Sequence, residues 1–95
     1  MQYHTQIHIQ KDIQGYRIFC SISQTAQLFP RKQQISNMEF RLNGEIFADV
    51  LFGNQLSKDP IIGVHLASGK PGDLISVDWV DVNRNRGTAR SRIAI

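Results

Sequence analysis

The chain has 95 residues, 41% of them hydrophobic and 20% charged, with a formal net charge of +3. That length supports one domain, residues 1–95, whose folding takes roughly two-thirds of the unfolded surface out of water without a disulfide or metal framework. The composition excludes a disordered or low-complexity chain, and apolar runs of at most three residues are far short of the ~20 that a membrane-spanning helix needs.

The first predicted element is a strand from Tyr3 to Gln10. It has no basic stretch followed by an apolar one, so it does not read as a secretory signal. His4 and His8 share one face of it, but four residues at ~3.3 Å each set them about 13 Å apart, too far to hold one metal ion. No carboxylate stands at a ligand spacing from either, and neither a metal nor a cofactor is expected. The second strand, Tyr16 to Ser23, turns Ile18, Cys20 and Ile22 to one side and Phe19 to the other. Cys20 in step with two isoleucines reads as a small buried hydrophobe rather than a reactive thiol. Phe19, facing outward, reads as a partner contact.

Gln24 to Asn37 has no period, contains Pro30 beside Arg31-Lys32, and reads as a long loop. It either binds something or only crosses between sheets. Strands then follow from Met38 to Leu42 and from Glu45 to Phe52. Between them Asn43-Gly44 offers the two positive φ angles of a two-residue hairpin. Ile61 to Ala67 and Leu74 to Val82 flank Pro71-Gly72, whose fixed and then positive φ suit a type II turn. A tight connection, Asn83 to Gly87, leads to the last strand, Thr88 to Ile95.

Seven short strands bounded by turn residues make an all-β chain, expected to form an antiparallel β-sandwich. Period two selects a core of Ile18, Cys20, Ile22, Met38, Phe40, Leu42, Ile62, Val64, Leu66, Ile75, Val77 and Trp79. It turns Arg17, Ser21, Glu39, Arg41, Asp78 and Arg90 to solvent.

Catalytic apparatus is not visible in the chain. It has none of the nucleophile-elbow, dinucleotide, P-loop or zinc-protease motifs. Asp78 and Asp81 flank Trp79-Val80 on opposite faces, so they form no acid and base pair. Arg84, Arg86, Arg90 and Arg92 fall in a stretch without acids and would attract phosphate. They lack interleaved aromatics and any helix-turn-helix or RNP-like sequence, so they read as a solvated edge that discourages strand aggregation, and nucleic acid is not an expected partner.

From Ile35 onward the sequence resembles the SoxZ family, the Z subunits of the bacterial SoxYZ sulfur-oxidation carrier. Four stations in order carry the resemblance: Ile35 leading to Asn43-Gly44, then Ser57-Lys58-Asp59-Pro60, then Gly69-Lys70-Pro71-Gly72-Asp73, and last Val77-Asp78-Trp79-Val80-Asp81. The resemblance implies an immunoglobulin-like sandwich that pairs with SoxY, whose C-terminal arm bears the sulfur-carrying cysteine, and that meets other Sox enzymes transiently. This chain would be the noncatalytic half, since Arg92-Ile93-Ala94-Ile95 offers neither cysteine nor glycine. Z-type subunits are exported with a signal-bearing Y partner, which implies a periplasmic location. Where the family carries His-Pro-Met after the second strand, this chain reads Ser23-Gln24-Thr25. The partner interface is expected at Asn54, Ser57, Lys58, Asp59 and Pro60. A free-standing immunoglobulin-like binding module is the other function that the same features fit.

Overall fold

The computed structural model describes residues 3–24, 35–52, 61–82 and 84–95. They form seven strands: β1 (Tyr3–Asp12), β2 (Gly15–Gln24), β3 (Ile35–Leu42), β4 (Glu45–Leu51), β5 (Ile61–Leu66), β6 (Leu74–Asp81) and β7 (Arg86–Arg92). Every pairing is antiparallel. One sheet has the order β1-β2-β5 and the other β4-β3-β6-β7. In immunoglobulin lettering this is A-B-E packed on C′-C-F-G, an immunoglobulin-like β-sandwich.

The turns follow from their residues. Asn43 and Gly44 both take positive φ, 49° and 91°, the geometry that lets a two-residue loop follow the twist of β3 and β4. Asn43 also reaches the neighbouring strand. Its backbone N–H donates to Leu74 O at 2.8 Å, and its side-chain Oδ1 accepts from Leu74 N at 2.9 Å. At Pro71-Gly72, Gly72 has φ 96° and Asp73 N donates to Lys70 O at 3.1 Å, closing the expected turn. Asp73 Oδ2 accepts in return from Lys70 N at 3.0 Å. The β1–β2 hairpin turns at Ile13-Gln14 with Gly15 at φ 123°. A side chain at Gly15 would overlap the carbonyl of Leu66, so glycine there lets β5 approach.

Nine of the twelve expected core residues are buried: Ile18, Cys20, Ile22, Met38, Phe40, Leu66, Ile75, Val77 and Trp79. Leu42, Ile62 and Val64 are half-buried against them. Ile62 and Val64 stand on β5, an edge strand with one hydrogen-bonded neighbour. Tyr16, Ile35 and Ile93 join the core instead. Ile93 lies beyond β7, and it is held by Ile93 N to Asp73 O at 2.9 Å and Gly72 N to Ile93 O at 2.7 Å. Tyr16 donates its hydroxyl to Ile95 O at 2.8 Å, tying the second strand to the chain's last residue.

Several boundaries correct the sequence expectation. Gln24 ends β2, and Ile35, Ser36 and Asn37 open β3, so the loop expected from Gln24 to Asn37 is shorter at both ends. A register shift between Ile35 and Asn37 breaks the period there, which puts the buried side chains at 35, 38 and 40. The last strand starts at Arg86, two residues before Thr88, and its ladder ends at Arg92. Arg86 and Gly87 therefore belong to the strand rather than to the turn.

Candidate partner-binding surfaces

The residues expected at the interface, Asn54, Ser57, Lys58, Asp59 and Pro60, lie outside the described residues. The first described position after them is Ile61, which opens β5 with 68% of its surface exposed.

The outer face of the three-stranded sheet follows from its register. On β2, Tyr16, Ile18, Cys20 and Ile22 point inward, so Arg17, Phe19 and Ser21 point outward. Their partners are Gln10, His8 and Gln6 on β1, and His65, Gly63 and Ile61 on β5. His4 stands on the same face opposite Ser23. All three histidines of the chain thus share one face. His4 and His8 were expected to share it. His65 joins them only because β5 pairs with β2, although its alternation with Val64 and Leu66 was a signal already present in the sequence. Among the described residues no group of three metal-ligating side chains forms.

Phe19 faces outward as expected and lies across Gly63, where a Cβ would sit 3.0 Å from the ring. The absence of a side chain at position 63 leaves room for the ring to lie down on the strand. Its other neighbour is His8, with ring centroids 6.5 Å apart and planes tilted by 37°. Shallow clefts flank the ring. One, of about 340 Å³, is lined by Arg17, Phe19, Gly63, Val64 and His65, and the other, of about 490 Å³, by Gln6, Ile7, His8, Phe19, Ser21 and Ile61. The carboxylate at the end of this face, Asp12, is occupied. Arg17 Nε lies 3.0 Å from its Oδ2, and Ile13 N donates to Oδ1 at 2.6 Å. The hydrogen bond from Arg17, then that from Ile13, hold its pKa below the ordinary 3.8.

The outer face of the four-stranded sheet has a different chemistry. Glu39 stands opposite Asp49 on β4 and Asp78 on β6. Arg41 reaches both central acids, at 3.3 Å to Glu39 and 3.2 Å to Asp78, and Asn37 Nδ2 donates to Asp49 at 2.8 Å. Beside them β7 turns Arg86, Thr88, Arg90 and Arg92 to solvent, with Arg92 donating to Gly72 O at 2.9 Å. The expected arginine edge is therefore on the surface, along the rim of a row of carboxylates. At the β6–β7 turn the buried carboxylate of Asp81 accepts from Asn85 N at 2.8 Å and Asn85 Nδ2 at 3.0 Å, which satisfies it away from water.

Cys20 is fully buried, and desolvation pushes its thiol up to about 11 from an ordinary 9.0, against a smaller lowering by a backbone hydrogen bond from Gln6. At neutral pH a thiol so placed carries almost no thiolate, the form that attacks or carries sulfur.

A family model described as sulphur oxidation protein SoxZ matches residues 21–92. The matched stretch runs from the end of β2 through β7 and contains all four of the stations that carried the resemblance. It leaves His4, His8 and Phe19 before its first residue. Among curated proteins and among solved structures nothing matches the chain.

Proposed function

The chain belongs to the SoxZ family of the Sox sulfur-oxidation system, and on that premise we propose that it is the noncatalytic subunit of a SoxYZ-like carrier. Its partner is a Y-like chain that bears the sulfur-carrying cysteine, and the pair meets other Sox enzymes transiently. The family match over residues 21–92 carries the reading. The sealed Cys20 supports the division of labour, since a carrier thiol must be reached by its substrate and ionise at working pH. The arm that presents sulfur then belongs to the partner, and this chain supplies the folded platform beside it. Export together with the partner gives a periplasmic location.

The deciding experiment is size-exclusion chromatography with light scattering on this chain alone and coexpressed with a Y-like protein of the same genome. A one-to-one complex supports the proposal. A chain that stays monomeric beside every Y-like protein removes it and leaves a free-standing immunoglobulin-like binding module. Fractionation of cells making both proteins tests the location, since cytoplasmic retention of the pair would overturn it.

A further inference from the structure

The described charged residues are divided unevenly between the two sheets. Glu39, Glu45, Asp49, Asp78 and Asp81 belong to the four-stranded sheet, and Asp73 to the turn that leads into it. The three-stranded sheet carries one described carboxylate, Asp12, which is already engaged by Arg17 and Ile13. The same sheet carries every histidine, and all three face outward. Among the described residues the titratable or charged side chains on that face are His4, His8, His65, Arg17 and Asp12, contributed by β1, β2 and β5. Lys11 projects from the other side of β1, its Nζ 5.9 Å from the Tyr16 ring. Phe19 stands on the central strand of the face with a cleft on each side, and Ile61, the first residue of the edge strand β5, adds a second apolar group with 68% of its surface in water. An apolar centre inside a polar rim is the anatomy of a specific protein interface. Among the described residues the rim offers imidazoles and lacks free carboxylates.

We infer that this outer face receives the Y-like partner, with Phe19 and Ile61 as anchors, and that the partner meets it with an apolar side chain ringed by carboxylates. The inference rests on the sulfur-carrier reading and adds to it a location and a pH dependence. An imidazole that gains a carboxylate partner in the complex has a higher pKa bound than free. Its contribution is complete below the free value and is lost as the pH rises through the bound one. The complex therefore tightens on acidification through the histidine range.

The test uses the full chain and the coexpressed Y-like protein, with the dissociation constant measured at pH 5.5 and 7.5. Ile61→Lys is expected to weaken binding about tenfold or more, as loss of an apolar anchor does. Ile61 is exposed, so the substitution leaves the core intact, and a thermal melt verifies that. Phe19→Ala is expected to act in the same direction. Wild-type affinity is expected to rise roughly three- to tenfold from pH 7.5 to 5.5. The combined variant His4→Gln, His8→Gln and His65→Gln should bind alike at both pH values. Thr88→Lys, on the opposite outer face, should bind as wild type does. Binding indifferent to Ile61→Lys and Phe19→Ala, or affinity that does not rise on acidification, overturns the inference while the carrier reading stands. Failure of the wild-type chain to bind any Y-like protein removes both.

Discussion

Each sheet contains a strand pair in which an aromatic ring lies on a glycine. In the four-stranded sheet Trp79 on β6 is paired with Gly87 on β7, and in the three-stranded sheet Phe19 on β2 is paired with Gly63 on β5. A ring laid over a cross-strand glycine restores the packing that the missing side chain gives up. The two pairs differ in direction. Trp79 points into the core and is 8% exposed, while Phe19 points to solvent between two clefts. The same local arrangement therefore locks the sandwich in one sheet and presents a surface in the other, and the inward or outward phase of the strand decides which.

The largest effect that would test this contrast is at Gly87. A Cβ there would fall within the indole of Trp79, whose ring is buried in the core. Gly87→Ala is expected to cost about 3 kcal/mol and to lower Tm by roughly 10–20 °C, the usual scale for overpacking a small domain. Trp79 is the sole tryptophan, so its emission gives a local readout, and a red shift should accompany the loss. Stability equal to wild type would mean that the ring does not lock the sheet.

The residue after Phe19 sharpens the contrast from within one strand. Cys20 faces the core, and burial raises its thiol from 9.0 to about 11. The folded state thus holds its proton more tightly than the unfolded state. The stabilisation this linkage gives is complete below about pH 9 and is lost as the pH rises toward 11, an effect of roughly 2–3 kcal/mol. Chemical denaturation of wild type and Cys20→Ala from pH 8 to 11 should show the wild type's advantage shrinking over that window. Alkylation of Cys20 in the native protein at pH 8 should be slow and should speed up on unfolding. Rapid native alkylation would place the thiol at the surface and undo the assignment of the carrier role to the partner.

Much of the fold was legible because its signals are local. Asn43-Gly44 and Pro71-Gly72 dictate their turns through φ alone, and period two picks out Ile18, Cys20, Ile22, Ile75, Val77 and Trp79 within single strands. Ile35 escapes that pattern because the register shift between it and Asn37 breaks the period. Ile93 falls in the last expected strand but carries no local core signal, since its burial depends on contact with the Asp73 turn, some twenty residues earlier. The surface was harder to read than the core. Phe19 was recognisable as outward-facing, but the face it shares with His65 and Gly63 exists only through the order β1-β2-β5, a long-range pairing. The Ser57 to Pro60 segment stood out by its resemblance and not by its chemistry, and it falls outside the described residues.

A smaller effect is expected on the other outer face. Arg41 lies between Glu39 and Asp78 and is half-exposed, and Asp49 stands beside Glu39. Arg41→Gln removes the cation from the two carboxylates it contacts. Because water and salt screen such surface charges, the cost should be about 1 kcal/mol and should shrink in high salt. Binding of the Y-like chain should be unchanged, since this face is balanced within itself. A loss of binding larger than the loss of stability would move the partner surface to the four-stranded sheet.

The smallest stability effect, and the clearest test of the contrast, is the substitution at the second glycine. The Cβ of Gly63→Ala would meet Cε1 and Cδ1 of the Phe19 ring at 3.0 and 3.1 Å. That is too close for the present pose, but the ring's outer side is solvent and it can swing away. Gly63 sits inside a strand and is not among the positive-φ glycines, so alanine fits its backbone and narrows the unfolded ensemble, a gain of up to ~1 kcal/mol that offsets the disturbed contact. Stability should therefore stay within about 0.5 kcal/mol of wild type, where the matching change at Gly87 costs several times more. The ring itself should move: its approach to His8 and the two clefts beside it depend on lying flat over position 63. Gly63→Ala should thus weaken the Y-like complex while leaving the melting curve almost untouched, whereas Gly87→Ala should do the reverse wherever the protein remains folded. If both substitutions reduce stability alike and neither alters binding beyond that, the two aromatic–glycine pairs have the same structural role, and the outward phase of β2 has no functional meaning.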